Sequence, residues 1–469
     1  MKQSLRSNCV LALALTAGAS TISETSGAET APAPWRLSKA LGLPEWLDIS
    51  GTQRTRYETL DGQFRTGRNG GDQMLAFRST LRADLKYEGF GATAELMDSR
   101  QELADPGTPI DTTMVNAFEL LQAYGSFRWD GPFVDGSKSE IRVGRQTLDI
   151  GSRRLVARNG FRNTVNAFTG AFWEWETKGG PTVRAFYFLP HSRLPSDAAS
   201  LLDNQIQYDE ESFDLQFWGM HSQWKGLPFG GTGELFFFGL NEDDEIDLPT
   251  RNRELYTPGL RFFRARAKGA WDYDFELVFQ FGETRNSTAA TDTTDLDHFA
   301  HFHHAEMGYT LDRKWSPRGA LLFDYASGDD NPTDDESNRF DTLFSARRFD
   351  HGPTGIWGAF ARSNIQSPGY SLSAKPTSAV EAEVKHRLYW LASDTDAWTP
   401  SGVRDASGNS SSFVGHQVEA MVRWDILPGN VRAEIGGAHL FAGDFIEEAP
   451  NATHRGDSTY GYASVEFRF

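Results

Sequence analysis

The chain has 469 residues, with 46 basic against 64 acidic side chains, so a net charge of −18 at neutral pH. Only 39% of the residues are hydrophobic, yet 13% are aromatic, with 45 glycines and a single cysteine. These figures exclude a disordered chain, a disulfide scaffold and a structural zinc site, and argue against a nucleic-acid binder.

The N-terminus reads as a secretory signal. Lys2 and Arg6 precede the apolar stretch Val10 to Ala19, and small residues follow, which is the order of a basic start, an apolar middle and a small-residue cleavage site. Ala17 and Ala19 offer one such site, and Ser26 with Ala28 another; residues 1–28 are taken as the signal and 29–46 as a short leading segment. Cys9 precedes the apolar core and is lost on cleavage. Beyond the signal, no run approaches the roughly 20 apolar residues a spanning helix requires. The remaining choices are a periplasmic soluble fold and a transmembrane β-barrel.

From residue 47 onward the pattern has period two. Phe77, Leu81, Ala83, Leu85 and Tyr87 share one face of their segment, against Arg78, Thr80, Arg82, Asp84 and Lys86. Further on, Tyr273, Phe275, Leu277, Phe279 and Phe281 stand against Asp272, Asp274, Glu276 and Gln280. Apolar residues toward lipid and polar ones toward a lumen give this signature, in segments of about ten residues. Strands are predicted at 47–58, 74–87, 91–99, 119–129, 139–146, 168–176, 182–189, 212–224, 232–240, 256–267, 272–282, 301–311, 317–326, 356–363, 379–391, 415–425, 430–440 and 460–469. Short connections such as Lys178-Gly179-Gly180-Pro181 alternate with long ones such as 100–118, 190–211 and 327–355. Only Ser367 to Thr377 is too long for this scheme. The chain ends on Phe469, with Val465 and Phe467 on the same face, as a final outer-membrane strand does. The expected fold is all-β: a transmembrane antiparallel β-barrel of about 18 strands over residues 47–469, with short periplasmic turns and long extracellular loops.

A barrel of that size leaves an aqueous channel, so function is sought in its lumen. Arg142, Arg145, Arg153, Arg154, Arg158 and Arg162 crowd one stretch, and Arg78 and Arg82 lie on an inward face. Guanidinium stays charged and matches carboxylates with a planar fork. These eight are the candidate substrate-binding residues for an anion; the alternative is that they pair with Asp84, Glu95, Asp98 and Glu119. Strict alternation from Ile141 and Val143 would aim Arg145 at lipid, so Gly144 is read as a bulge or a strand end.

The stretch Val143-Gly144-Arg145-Gln146-Thr147-Leu148-Asp149-Ile150-Gly151-Ser152-Arg153-Arg154-Leu155-Val156 is followed by Phe161-Arg162-Asn163 and Phe168-Thr169-Gly170. Together they resemble the signature of the alginate-export porin family. Tyr325-Ala326-Ser327-Gly328-Asp329 with Leu343-Phe344, Val414-Gly415-His416 and Ala442-Gly443-Asp444-Phe445 extend the resemblance over the chain from about residue 47. It implies an 18-stranded outer-membrane barrel with an electropositive pore for a polyuronate, and Arg145, Arg154 and Arg162 match the family's arginine motif. Ser152 and Thr169 depart from it, where acids are common.

The leading reading is a passive outer-membrane channel for an anionic saccharide or other organic anion. It needs no cofactor, sits among outer-membrane lipid and lipopolysaccharide, and in export works with partners across the periplasm. Rivals are a structural or adhesive barrel whose lumen is blocked by loops, especially 327–355, and a barrel enzyme, for which no nucleophile motif appears. His301 and His303 share a strand face and offer a metal pair, though a polar loop entering a strand reads the same way. The acidic runs 329–336 and 242–245 read as solvated outer loops, with calcium a weaker alternative, and no metal site is assigned.

Overall fold

The computed structural model describes residues 33–244 and 250–469; the signal-peptide reading of residues 1–28 lies outside them. The strands are β1 (Leu47–Asp61), β2 (Gly71–Tyr87), β3 (Phe90–Glu102), β4 (Asn116–Asp130), β5 (Ser137–Gln146) and β6 (Phe168–Thr177). Then follow β7 (Thr182–Pro190), β8 (Leu215–Leu227), β9 (Gly231–Glu242), β10 (Glu254–Arg264), β11 (Ala270–Thr284) and β12 (Leu296–Thr310). The last six are β13 (Arg318–Ala326), β14 (Ile365–Thr377), β15 (Val380–Trp390), β16 (Phe413–Leu427), β17 (Val431–Ala442) and β18 (Ser458–Arg468). Each pairs antiparallel with the next, and β18 closes on β1 with Thr55 opposite Val465. A two-residue stretch, Glu336–Ser337, adds a parallel bridge beside Asp297 and His298 at the loop end of β12. Among the described residues no helix is long and apolar enough to cross a membrane.

Period-two patterning builds the wall as expected. On β11, Phe275, Phe279 and Phe281 stand exposed outward while Asp272, Glu276 and Gln280 are buried inward. On β2, Leu81, Leu85 and Tyr87 point out and Arg78 is buried. Closing all strand edges satisfies the backbone within the membrane, which an open sheet cannot do.

One predicted strand is corrected. Residues 356–363 are not in the wall; the strand is Ile365–Thr377, in the stretch set aside as a connection. Pro368, Gly369 and three serines at inward positions weaken its alternation, whereas Ile356-Trp357-Gly358-Ala359-Phe360 has strand-like hydrophobicity and buries it elsewhere. Ile356, Trp357, Ala359 and Phe360 are almost fully buried inside the loop end of the barrel. There Phe360 lies flat on Tyr389, with ring centroids 3.5 Å apart, and Phe64 packs edge-on against Trp357. Apolarity alone does not distinguish a lipid-facing strand from a loop that seals a core.

Two long connections therefore enter the lumen: 147–167 and 327–364. Inward-facing Phe168 and Phe217 receive Phe344 from the second of them, so an apolar core occupies part of the loop half of the lumen. The opposite half keeps charged walls.

Candidate functional site

The first in-folded loop is held by hydrogen bonds that its own sequence cannot supply. Arg54 and Arg78, neighbours across β1 and β2, donate to the carbonyls of Gly160 and Arg162 at 2.8–3.0 Å. Arg56 donates to Phe161 O, and its guanidinium lies 4.4 Å over the Phe161 ring. Asn163 Nδ2 donates to the carbonyls of Phe77, Arg100 and Met114. Buried carbonyls need donors, and here the wall arginines provide them.

Entry into this loop is set by Gly144. Ile141 and Val143 face lipid, and Val143 is 56% exposed. The register of β5 to both neighbours is continuous through Gly144, so no residue is inserted and the bulge is not formed. Instead Gly144 takes φ +126°, where a Cβ would come within 2.4 Å of Ala123 O. That conformation is open to glycine and costly for other residues, and β5 ends two residues later. Past it, Arg145 reaches Glu119 at 3.0 Å and Asp209 at 3.4 Å.

Most of the sequence-identified arginines carry acidic partners. Arg154 is buried among Asp274 (3.2 Å), Glu276 (2.8 Å) and Asp350 (2.9 Å), and its Nη2 meets His304 Nε2. Arg158 pairs with Glu95 at 2.7 Å, and Arg82 with Asp84 at 2.7 Å. Arg142 lies 3.8 Å from Glu140 and over the Phe172 ring. Arg78 holds the loop carbonyls described above. Three of the eight have no carboxylate within 4 Å among the described residues: Arg78, Arg162, and Arg153, which is exposed beside the Phe349 ring. At the two departures from the family pattern, Ser152 donates to Glu276 and Thr169 meets His191 Nε2.

Besides Arg362, which pairs with Asp350, Arg162 shares a cavity of about 420 Å³ on the loop side with Arg65, Arg193 and Arg347. None of these four is salt-bridged to an acid among the described residues. Arg65 donates to the carbonyls of Ile356 and Trp357, and Arg162 and Arg193 to Asn166 Oδ1. Arg347 makes no side-chain hydrogen bond there. Asp111 is the acid of the lining, and its carboxylate is engaged by the Thr113 amide. Burial, followed by the charge of Arg347, pushes Arg65 down to about 10, and burial pushes Arg347 down to about 10. Burial and Arg193 press Arg162 well below its ordinary value. A buried cation without a counterion is costly to hold, and this cavity concentrates such groups.

Sequence reasoning missed Arg65, Arg193 and Arg347, each in a different loop. Arg347 does follow the pattern of Ser152-Arg153-Arg154, since Ala346-Arg347-Arg348-Phe349 is a second arginine doublet at a point where a loop enters the lumen. That doublet was the available signal.

On the other side of the two loops lies a cavity of about 670 Å³ reached by Arg54, Arg153 and Arg348. Its wall is a lattice of pairs, including Arg423–Glu434 at 2.8 Å and Arg468–Glu466 at 2.5 Å. Asn159 lines both cavities.

The second loop crosses between them. Asp350 meets Arg154 and Arg362, Lys385 donates to Phe349 O, and Arg348 meets Glu419 and the Tyr462 hydroxyl. Arg154 and Arg362 hold the Asp350 carboxyl well below its usual range against the effect of burial. His304, Asp324 and Asp350 converge closely enough to resemble a metal centre, but Arg154 and Arg387 already occupy them. In the acidic loop, Asp396 pairs with Arg339 and accepts from the Asp329 amide. Glu242 pairs with Arg253.

The sequence profile of a family described as Alginate export matches residues 45–457. The outer-membrane protein OpdK of Pseudomonas aeruginosa aligns with a TM-score of 0.55 and 10% identity over 90% of this chain and 98% of its own. A BenF-like porin of Pseudomonas fluorescens Pf-5 gives 0.58 and 11%, over 91% and 99%. OccAB1 of Acinetobacter baumannii gives 0.56 and 13%, over 91% and 97%. No curated protein matches the sequence.

Proposed function

The chain belongs to the alginate-export family, an outer-membrane β-barrel of the passive porin type, and from that premise we propose that it conducts an anionic saccharide or other organic anion past the unpaired arginines of its lumen. The observation that carries this reading is the quartet Arg65, Arg162, Arg193 and Arg347, the four of the cavity's five lining arginines that have no salt bridge among the described residues, with Asp111 as its acid and the fifth, Arg362, held by Asp350. A carboxylate entering from the loop side replaces water around cations that the protein leaves without counterions. Arg153, on the in-folded loop 147–167, offers the next guanidinium without a salt bridge among the described residues, in the second cavity. Binding at separate weak stations, rather than one tight one, is what permits passage. The paired arginines, Arg145, Arg154 and Arg158 among them, set the shape of the passage and are not its contact points. A passive channel has no intrinsic direction, so export and uptake use the same residues.

The test is a planar bilayer under a salt gradient. Anion preference, with conductance blocked by added polyuronate, is the expected result; cation preference overturns the reading. The loop 327–364 lying inside the lumen favours a second reading, a barrel closed by its own loops, and absence of conductance in the intact protein supports that one.

Acidity gives a further expected result. Burial, followed by the charge of Glu119, raises the Asp209 carboxyl to about 6, while burial and Arg145 push His191 down to about 3. Asp209 is charged above its pKa and neutral below it, so lowering the pH from about 7 to about 5 protonates it while His191 stays neutral. Arg145 then loses one of its two partners and the lumen gains positive charge. Anion preference rises on acidification, measured as reversal potential, and the rise disappears in Asp209→Asn. The same shift makes ionised Asp209 a stability cost above about pH 6, relieved as the pH falls toward the unfolded value of about 3.9.

A further inference from the structure

Five of the eleven histidines, His301, His303, His386, His416 and His439, sit on outward strand faces rather than in the lumen. On β12 the alternation is unbroken: Phe299 and Met307 are exposed with His301 and His303 between them, while His298, Phe302 and His304 are buried inward. His301 Nδ1 and His303 Nε2 face each other at 2.8 Å. Tyr325 of β13 stacks on His301 with centroids 5.3 Å apart and planes 13° from parallel. Phe279 of β11 stands edge-on to His303. Both rings are thus held in place by aromatic neighbours.

We propose that His301 and His303 chelate a divalent copper ion on the outer, loop-side face of the barrel. Two nitrogens bound to one ion at about 2.0–2.1 Å stand about 2.9 Å apart in adjacent square-planar positions and about 3.3 Å apart in a tetrahedron. The 2.8 Å spacing therefore matches adjacent positions of a tetragonal ion and is too short for tetrahedral zinc. Imidazole donors suit copper, which also heads the affinity order of the divalent first-row metals. Spacing of i, i+2 on a strand directs both rings to the same side, so the bite is set by the backbone.

The proton count closes without acid or base. In the free pair one ring donates its N–H to the other, so only one facing nitrogen has a free lone pair. Chelation requires both, and the donor ring moves its proton to its far nitrogen, His301 Nε2 or His303 Nδ1. Neither far nitrogen has a hydrogen-bond partner among the described residues. Two neutral imidazoles remain neutral, and the other two positions on the ion are filled by water or by an oxygen of the surrounding lipid headgroups.

The experiment adds copper(II) alone to the purified full-length barrel in detergent and reads electron paramagnetic resonance. The expected spectrum has superhyperfine splitting from two imidazole nitrogens. It is lost in His301→Ala and in His303→Ala, and kept in His386→Ala, whose ring faces His416 at 3.1 Å across two strands. The substituted side chains point away from the lumen, and heat-modifiable migration on gels verifies that each variant is folded. An unchanged spectrum in the His301→Ala/His303→Ala double variant, its loss in His386→Ala, or no copper bound by the wild type overturns the assignment.

Discussion

Replacing Arg162 and Arg347 together with glutamine is expected to lower the anion-over-cation permeability ratio about fivefold or more, while leaving the barrel at least as stable as before. Neither side chain is salt-bridged among the described residues, and Arg347 makes no side-chain hydrogen bond, so no contact essential to the wall is removed. Each lost charge costs a passing anion about 1 kcal/mol at separations near 10 Å, after allowance for salt screening, and relieves a cation by a similar amount. The stability readout separates the two roles. Arginines pushed below their ordinary value are disfavoured in the folded protein at neutral pH, so neutralising them is favourable to folding. If the pair is structural, thermal unfolding in detergent shifts downward and selectivity holds. If it is the anion station, the reversal potential moves and the unfolding temperature holds or rises. A selectivity unchanged by this double substitution sinks the assignment of the cavity.

Arg154→Met has the larger effect on stability. It leaves Asp274, Glu276 and Asp350 gathered in a buried space without their shared cation, at an expected cost of about 3–5 kcal/mol. Asp274 retains Arg261 at 2.6 Å, and Asp350 retains Arg362, but Glu276 keeps only the Ser152 hydroxyl and no cation. The loss falls on the place where both in-folded loops meet the wall, because Arg154 lies on one loop and Asp350 on the other. The variant is therefore expected to unfold at lower temperature and to show larger, noisier single-channel currents as loop 327–364 detaches. A quiet channel of wild-type size with an unchanged unfolding temperature would falsify this role. Charge reversal at Arg145 and Arg154, the substitution suggested by local arginine density, mixes this collapse with any effect on selectivity.

The barrel was legible because lipid and lumen impose opposite chemistry on alternate residues, and Phe275 to Phe281 against Asp272 to Gln280 state it plainly. The alternation fails where the wall is thinly marked, as in Ile365–Thr377, and where apolar residues serve another surface, as in Ile356 to Phe360. Arginine density pointed to a loop that enters the lumen, and for a physical reason: a loop that enters a charged lumen needs polar anchors. It could not separate paired from unpaired guanidiniums, since pairing depends on acids from β3, β4, β11 and the loop around Asp350. Arg158 and Arg162 are four residues apart, yet Glu95 takes the first and, among the described residues, no carboxylate meets the second. The cavity assembles from loops 62–70, 103–115, 147–167, 191–214 and 327–364, and no linear stretch contains it.

The seam between the first and last strands has an internal fastening. Glu58 on β1 accepts from the Tyr460 hydroxyl of β18 at 2.9 Å and from the Ile356 amide of the in-folded loop at 3.0 Å, and Arg348 of that loop reaches Tyr462 of β18. These partners come together only when the final strand arrives. The in-folded loop is therefore fully anchored at the end of assembly, not before it. A barrel halted before closure would be missing the anchors of its in-folded loop as well as its last edge, and quality control that removes unsealed barrels would remove barrels with a loose lumen loop in the same step.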